Sequence, residues 1–139
     1  MNAITSTTLL ALIPTALLST IPLIAHHSFA AEYDANKPIT LKGNVKNMAW
    51  SNPHAWIYLD VKGPDGKVVN WAIETGNPNA LYRRGWRKTD LPAGAELTVE
   101  GYLAKDGTPT VNAANITLPG GRRLFAGSSG TGAPIDSGR

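Results

Sequence analysis

Cysteine is absent from the 139-residue chain, which excludes a disulfide framework, a thiolate metal centre and a thiol nucleophile. Charge is absent from the first 31 residues; Glu32 is the first acid and Lys37 the first base. Histidine is scarce, with three in all: His26, His27 and His54. Phenylalanine occurs twice, so most aromatic surface must come from four Trp and four Tyr. The net charge of +3 is too small to point to a polyanionic partner. No glycine-rich loop leads into a helix in the manner of a phosphate cradle, and no Ser-His-Asp order or paired acid/base signature can be argued.

What is there begins with an apolar stretch, residues 9–25, rich in Leu, Ile and Ala but broken by Pro14 and Pro22. It is short for a spanning helix and reads as a secretory signal, although no Lys or Arg precedes it. Leu23 and Ala25 occupy the positions three and one before a cut that leaves His26 as the new N-terminus. A rival cut after Ala30 discards both histidines, and a retained anchor is a third possibility. With residues 1–25 removed, the expected product is a periplasmic or secreted chain without a transmembrane span. Its roughly 110 residues suffice for one small domain.

Residues 37–118 carry the folding signals, after an N-terminal segment at 26–36. Five stretches alternate apolar and polar residues with period two. Ile39, Leu41 and Val45 lead the first; Ala55, Ile57, Leu59 and Val61 share one face of the second. Val69, Trp71 and Ile73 are expected to face inward in the third, and Leu97, Val99 and Leu103 in the fourth. In the fifth, Val111, Ile116 and Leu118 do not share parity, which predicts a bulge near Ala113 and Ala114. Gly63-Pro64-Asp65-Gly66 and Lys105-Asp106-Gly107 predict two hairpins. Between strands three and four, Asn77 suits an N-cap, Pro78 the first helical position and Gly85 a stop. Three strands, a short helix and two strands is the order of a small five-stranded, all-β barrel of the OB-fold type; an SH3-like barrel or an open sandwich is the alternative. Residues 119–139, rich in Gly and Ser, are expected to form a flexible tail, with Leu124 and Phe125 able to dock.

Four segments, HHSFAAEYD at 26–34, PITLKG at 38–43, WSNPHAW at 50–56 and GNPNALYRRGW at 76–86, resemble a family of small exported bacterial proteins catalogued as a domain of unknown function (number six-one-five-two). The resemblance runs from His26 to about residue 128. It implies an exported single-domain protein and carries no activity.

The residues themselves point to a metal. An N-terminal His26 offers an amine and an imidazole, and a further imidazole from His54 would complete a T-shaped, three-nitrogen set. Copper favours such ligands. An alternative uses the amine, the backbone amide and His27; zinc would call for a carboxylate such as Glu32 or Asp34. Trp50, Trp56 and Tyr58 form a candidate surface for a ligand or partner. That outer face could instead be covered by the N-terminal segment through Phe29 and Tyr33, which would bring His26 and His27 toward His54. Arg83 and Arg84 head a basic run with interleaved aromatics; export argues against nucleic acid there, and a helix end with solvated charges and a packed Trp86 is the plainer reading. The expectation is therefore an exported binding protein without turnover, holding copper through His26 with His54 and His27, and serving a periplasmic protein partner or a small ligand. A metal-free adaptor or ligand-binding module is the alternative, and a copper oxygenase the third.

Overall fold

The computed structural model describes residues 28–127. Its architecture is all-β. A single helical turn, α1 (Phe29–Glu32), leads into β1 (Tyr33–Ala49). There follow β2 (Trp56–Lys62), β3 (Val68–Glu74), α2 (Pro78–Arg83), β4 (Glu96–Ala104), β5 (Thr110–Thr117) and β6 (Arg123–Phe125).

The strands pair in the order β3-β2-β1-β4-β5-β6, and β3 also pairs in parallel with β5 through Ala72–Thr110, Ile73–Val111 and Glu74–Asn112. A path of neighbours that leaves β1 through β2 and β3 therefore returns to it through β5 and β4. Strand β1 can serve both sides because it is long. Gly43 lies where it meets β2: a Cβ there would stand 2.5 Å from the Asp60 carbonyl oxygen. Only glycine permits that approach.

Six strands stand where five are expected. The extra one, β6, falls inside the segment 119–139 assigned to the tail. Leu124 does dock, opposite Ile116, and Arg123 reaches Glu100 with its Nε and Nη2 at 3.0 and 2.8 Å. Gly120 and Gly121, both at positive φ, make the turn that returns the chain to β5. Three residues are too few for a period to register, so this strand exists through its partner alone. Strand β1 also begins earlier than expected, at Tyr33.

Other local expectations are met. Asn77 Oδ1 accepts from the Ala80 N–H at 2.8 Å, and Gly85 leaves α2 at φ +92°. In β5 the register passes from Asn115–Glu100 to Ala113–Gly101, so Ala114 is the extra residue of a bulge. That bulge lets Val111 and Ile116 both point into the core. A second bulge in β1, between Val45 and Asn47, does the same for Val45 and Met48.

The core holds Ile57, Leu59, Ile73, Leu81, Trp86, Leu97, Val99, Val111 and Ile116, all essentially without exposure. Val69 is a correction. It is 43% exposed rather than inward, because β3 is covered by β5 only from Ala72 onward and its first half projects with Val68 beyond the packed layers. No helix among the described residues is long and apolar enough to cross a membrane.

Candidate functional site

Glu74 lies at the end of β3, directly opposite Trp56 of β2 and beside Asn112 of β5. Strand parity places its side chain on the outer face, yet it is buried. The cover comes from the N-terminus. Phe29 of α1 packs edge-on against Tyr102 of β4, with ring centroids 5.4 Å apart, and stacks on Tyr33 at 5.7 Å. Lys105 clasps the same turn from the β4–β5 hairpin: its backbone N–H donates to the Glu32 carbonyl at 2.8 Å and its Nζ to the Ala30 carbonyl at 2.5 Å. The expected packing of Phe29 and Tyr33 on the outer face forms at Tyr102 and Glu74, whereas Trp56 is left lining an open cleft.

Tyr33 carries this contact into the site. Its hydroxyl donates a short hydrogen bond to Glu74 Oε2, which also accepts from Asn112 Nδ2 at 3.3 Å. Burial, then the hydrogen bond and the charge of Glu74, with smaller contributions from Glu32 and Asp106, push the Tyr33 phenol far above its ordinary value.

The other oxygen, Glu74 Oε1, lies 3.3 Å from His54 Nδ1, which also stands 3.1 Å from the Thr75 carbonyl oxygen. A backbone carbonyl can only accept, so the network assigns the proton to Nδ1. The lone pair of a neutral ring then sits on Nε2, which makes no hydrogen bond among the described residues. His54 follows a cis Asn52–Pro53 peptide, and its side chain is 15% exposed. Thr75 holds the neighbouring backbone by donating its hydroxyl to the Ala55 carbonyl at 2.8 Å.

His26 and His27 lie outside the described residues. Among the described residues no group of three or more His, Cys, Asp or Glu side chains is arranged to hold a metal. Glu32 and Asp34 flank Tyr33 at the junction of α1 and β1.

The remaining predicted positions are dispersed. Trp50 packs against the core, whereas Trp56 lines an open cleft with Tyr33 and the β4–β5 hairpin, and Tyr58 follows on the same face of β2. These three do not form one surface. Arg84 is half-buried: its guanidinium lies 4.5 Å from the Phe125 ring centroid and donates to the Gly127 carbonyl at 2.5 Å. Burial and the adjacent Arg83 lower its affinity for the proton. It is a clasp for the last strand. Arg83 is exposed, and Trp86 is wholly buried with its Nε1 donating to the Phe125 carbonyl at 3.1 Å.

Sequence reasoning did not single out Glu74, Tyr33 or Asn112 as a group. The one available signal was an acid and an amide on outer-face positions of strands at the same level as an aromatic. The sequence offers Phe29 and Tyr33 as a cover for this face, but no local pattern pairs Tyr33 with Glu74, 41 residues away.

The model of a family described as of unknown function, DUF6152, matches residues 16–113. No curated protein and no solved structure matches the chain.

Proposed function

Since this chain belongs to the DUF6152 family, whose activity is open, we propose from its own residues that it is an exported, periplasmic copper-binding protein. In this reading residues 1–25 are removed on export, and His26 supplies its amine and ring to the ion. His54 Nε2 closes the set, with His27 as a further donor. The fold proposed is a small barrel of the OB type, β1 to β5, with β6 added at its edge; the return of the pairings to β1 and the parallel β3–β5 contact support it. The role is binding, in the service of a periplasmic partner.

The observation that carries the reading is the orientation of His54. Its Nδ1 faces two acceptors, Glu74 Oε1 and the Thr75 carbonyl, which favours the tautomer that offers Nε2 as a ligand. A carboxylate behind an imidazole is the usual outer-shell support of a metal-binding histidine. A second support is the route of the chain. Tyr33 fastens the N-terminal segment to the same Glu74, and Phe29, two residues after His27, stacks on Tyr33. Each extended residue adds about 3.5 Å of reach, and imidazole nitrogens lie about 2 Å from such ions.

The test begins with the mass of the exported protein. A start at His26 is expected; a start at Ala31 ends the proposal. Copper(II) titration of the mature protein, followed by paramagnetic resonance, is then expected to show nitrogen coupling. His54→Ala should weaken binding by more than tenfold, and Glu74→Gln by about 10–100-fold. Unchanged affinity in His54→Ala removes His54 from the site.

A further inference from the structure

Beside Glu74, on the solvent side of Tyr33, an open cleft of about 550 Å³ runs between α1 and the β4–β5 hairpin. One wall is Ala31, Glu32 and Tyr33; the other is Ala104 to Asp106 with Thr108 and Thr110; Trp56 contributes the large aromatic surface. We propose that this cleft binds a neutral carbohydrate, with one sugar ring stacked on Trp56.

The argument rests on what the lining can and cannot accept. Apolar lining beyond Trp56 and Tyr33 amounts to two alanines, too little to recognise a lipid chain or a wholly apolar ligand by burial. The rim carries the Asp106 carboxylate and the Lys105 ammonium. Lys105 Nζ is already engaged with the Ala30 carbonyl, and Asp106 is held well ionised by hydrogen bonds from the Thr108 hydroxyl and N–H. A phosphate or other anion would meet an ionised carboxylate and an ammonium already committed to a backbone carbonyl. A neutral polyol meets neither obstacle. Its hydroxyls can donate to the Asp106 carboxylate in charge-assisted hydrogen bonds; the Thr108 hydroxyl, whose proton goes to Asp106, can accept, and the Thr110 hydroxyl 3.0 Å away can donate or accept. A pyranose also presents a flat C–H face, for which an indole is the best partner in the protein repertoire.

The surroundings allow more than one sugar unit. Tyr58 lies two residues along β2 on the same face as Trp56, about 7 Å further. Between Tyr58 and Thr110 the sheet carries Ala72, which pairs with both and leaves the face low there. An oligosaccharide lying along the strand would pass from Trp56 to Tyr58 over that shallow floor. This inference does not depend on the metal reading, since Trp56, Asp106, Thr108 and Thr110 are not among the ligands of that reading.

The test uses the full exported chain, labelled with nitrogen-15. Cellohexaose, chitohexaose, maltohexaose and xylohexaose are titrated separately, with polygalacturonate as the anionic probe. At least one neutral hexasaccharide is expected to shift the Trp56 indole N–H and the Thr110 amide. Trp56→Ala should weaken that binding about tenfold, and Trp56→Phe, which keeps an aromatic face, by less. Thr108→Val, on the exposed hairpin, should weaken it with the fold untouched. The proposal is overturned if no neutral probe shifts these signals, if polygalacturonate alone does, or if Trp56→Phe and Thr108→Val both bind as the wild type does.

Discussion

Removing one oxygen atom, in Tyr33→Phe, isolates the contact on which the site geometry depends. The ring stays, so its stacking on Phe29 at 5.7 Å and its burial are preserved. What disappears is the hydroxyl that donates to Glu74, in a setting where both residues are less than a tenth exposed. A hydrogen bond to a charged group contributes roughly 1.5–3 kcal/mol. Glu74 keeps Asn112 and His54 as neighbours, so the loss should fall near the middle of that range, about 2 kcal/mol at neutral pH. The sign of the pH dependence is also determined. The Tyr33 phenol is pushed up in the folded protein, so above its unfolded value of about 10 the native state holds more protons than the unfolded one, and stability falls as pH rises. That stability is fully present below pH 10 and declines at up to about 1.4 kcal/mol per pH unit above it. Urea unfolding of both proteins from pH 7 to 11 measures both quantities. The variant should start lower and lack the part of the alkaline slope that belongs to Tyr33. A variant within about 0.5 kcal/mol of wild type at pH 7, with an unchanged alkaline slope, refutes the reasoning.

Three further outcomes test other parts of the account. Gly101→Ala should destabilise by at least 1–3 kcal/mol in urea unfolding, because its Cβ would stand 2.3 Å from the Asn112 carbonyl oxygen and 2.7 Å from Val111 Cγ1, opposite the β5 bulge. Asn77→Ala should cost about 1 kcal/mol in the same assay through loss of the cap on the Ala80 N–H. Val69→Thr should lie within about 0.5 kcal/mol of wild type, since the side chain is 43% exposed; a loss above about 1.5 kcal/mol would mean that Val69 is packed after all.

Local chemistry was legible where a few neighbouring residues suffice. Asn77, Pro78 and Gly85 bracket α2 because capping and positive φ are properties of single residues. The broken parity of Val111 and Ile116 announced the bulge at Ala114 before any partner strand was known. The hairpins at Gly66 and Gly107 follow from the same local rules. Legibility ended where burial depends on something distant. Val69 alternates correctly with Trp71 and Ile73, yet it protrudes, since parity states which face a residue takes and not whether that face is covered. Trp50 and Trp56 stand six residues apart in one motif and point into different surroundings, one toward the core and one into a cleft.

Composition and periodicity by themselves determined that this chain is all-β, that it carries one short capped helix, and that no cysteine chemistry is open to it. These follow from covalent structure and from side-chain alternation along one strand. Only the tertiary structure decided that Tyr33, His54, Glu74 and Asn112 converge, and that a three-residue strand after Gly121 completes the sheet. The physical reason is the same in both cases. A buried carboxylate and a short edge strand are stable only through partners elsewhere in the chain, 41 residues away for Glu74 and Tyr33 and outside the three-residue strand for β6, and no local pattern encodes which partner arrives.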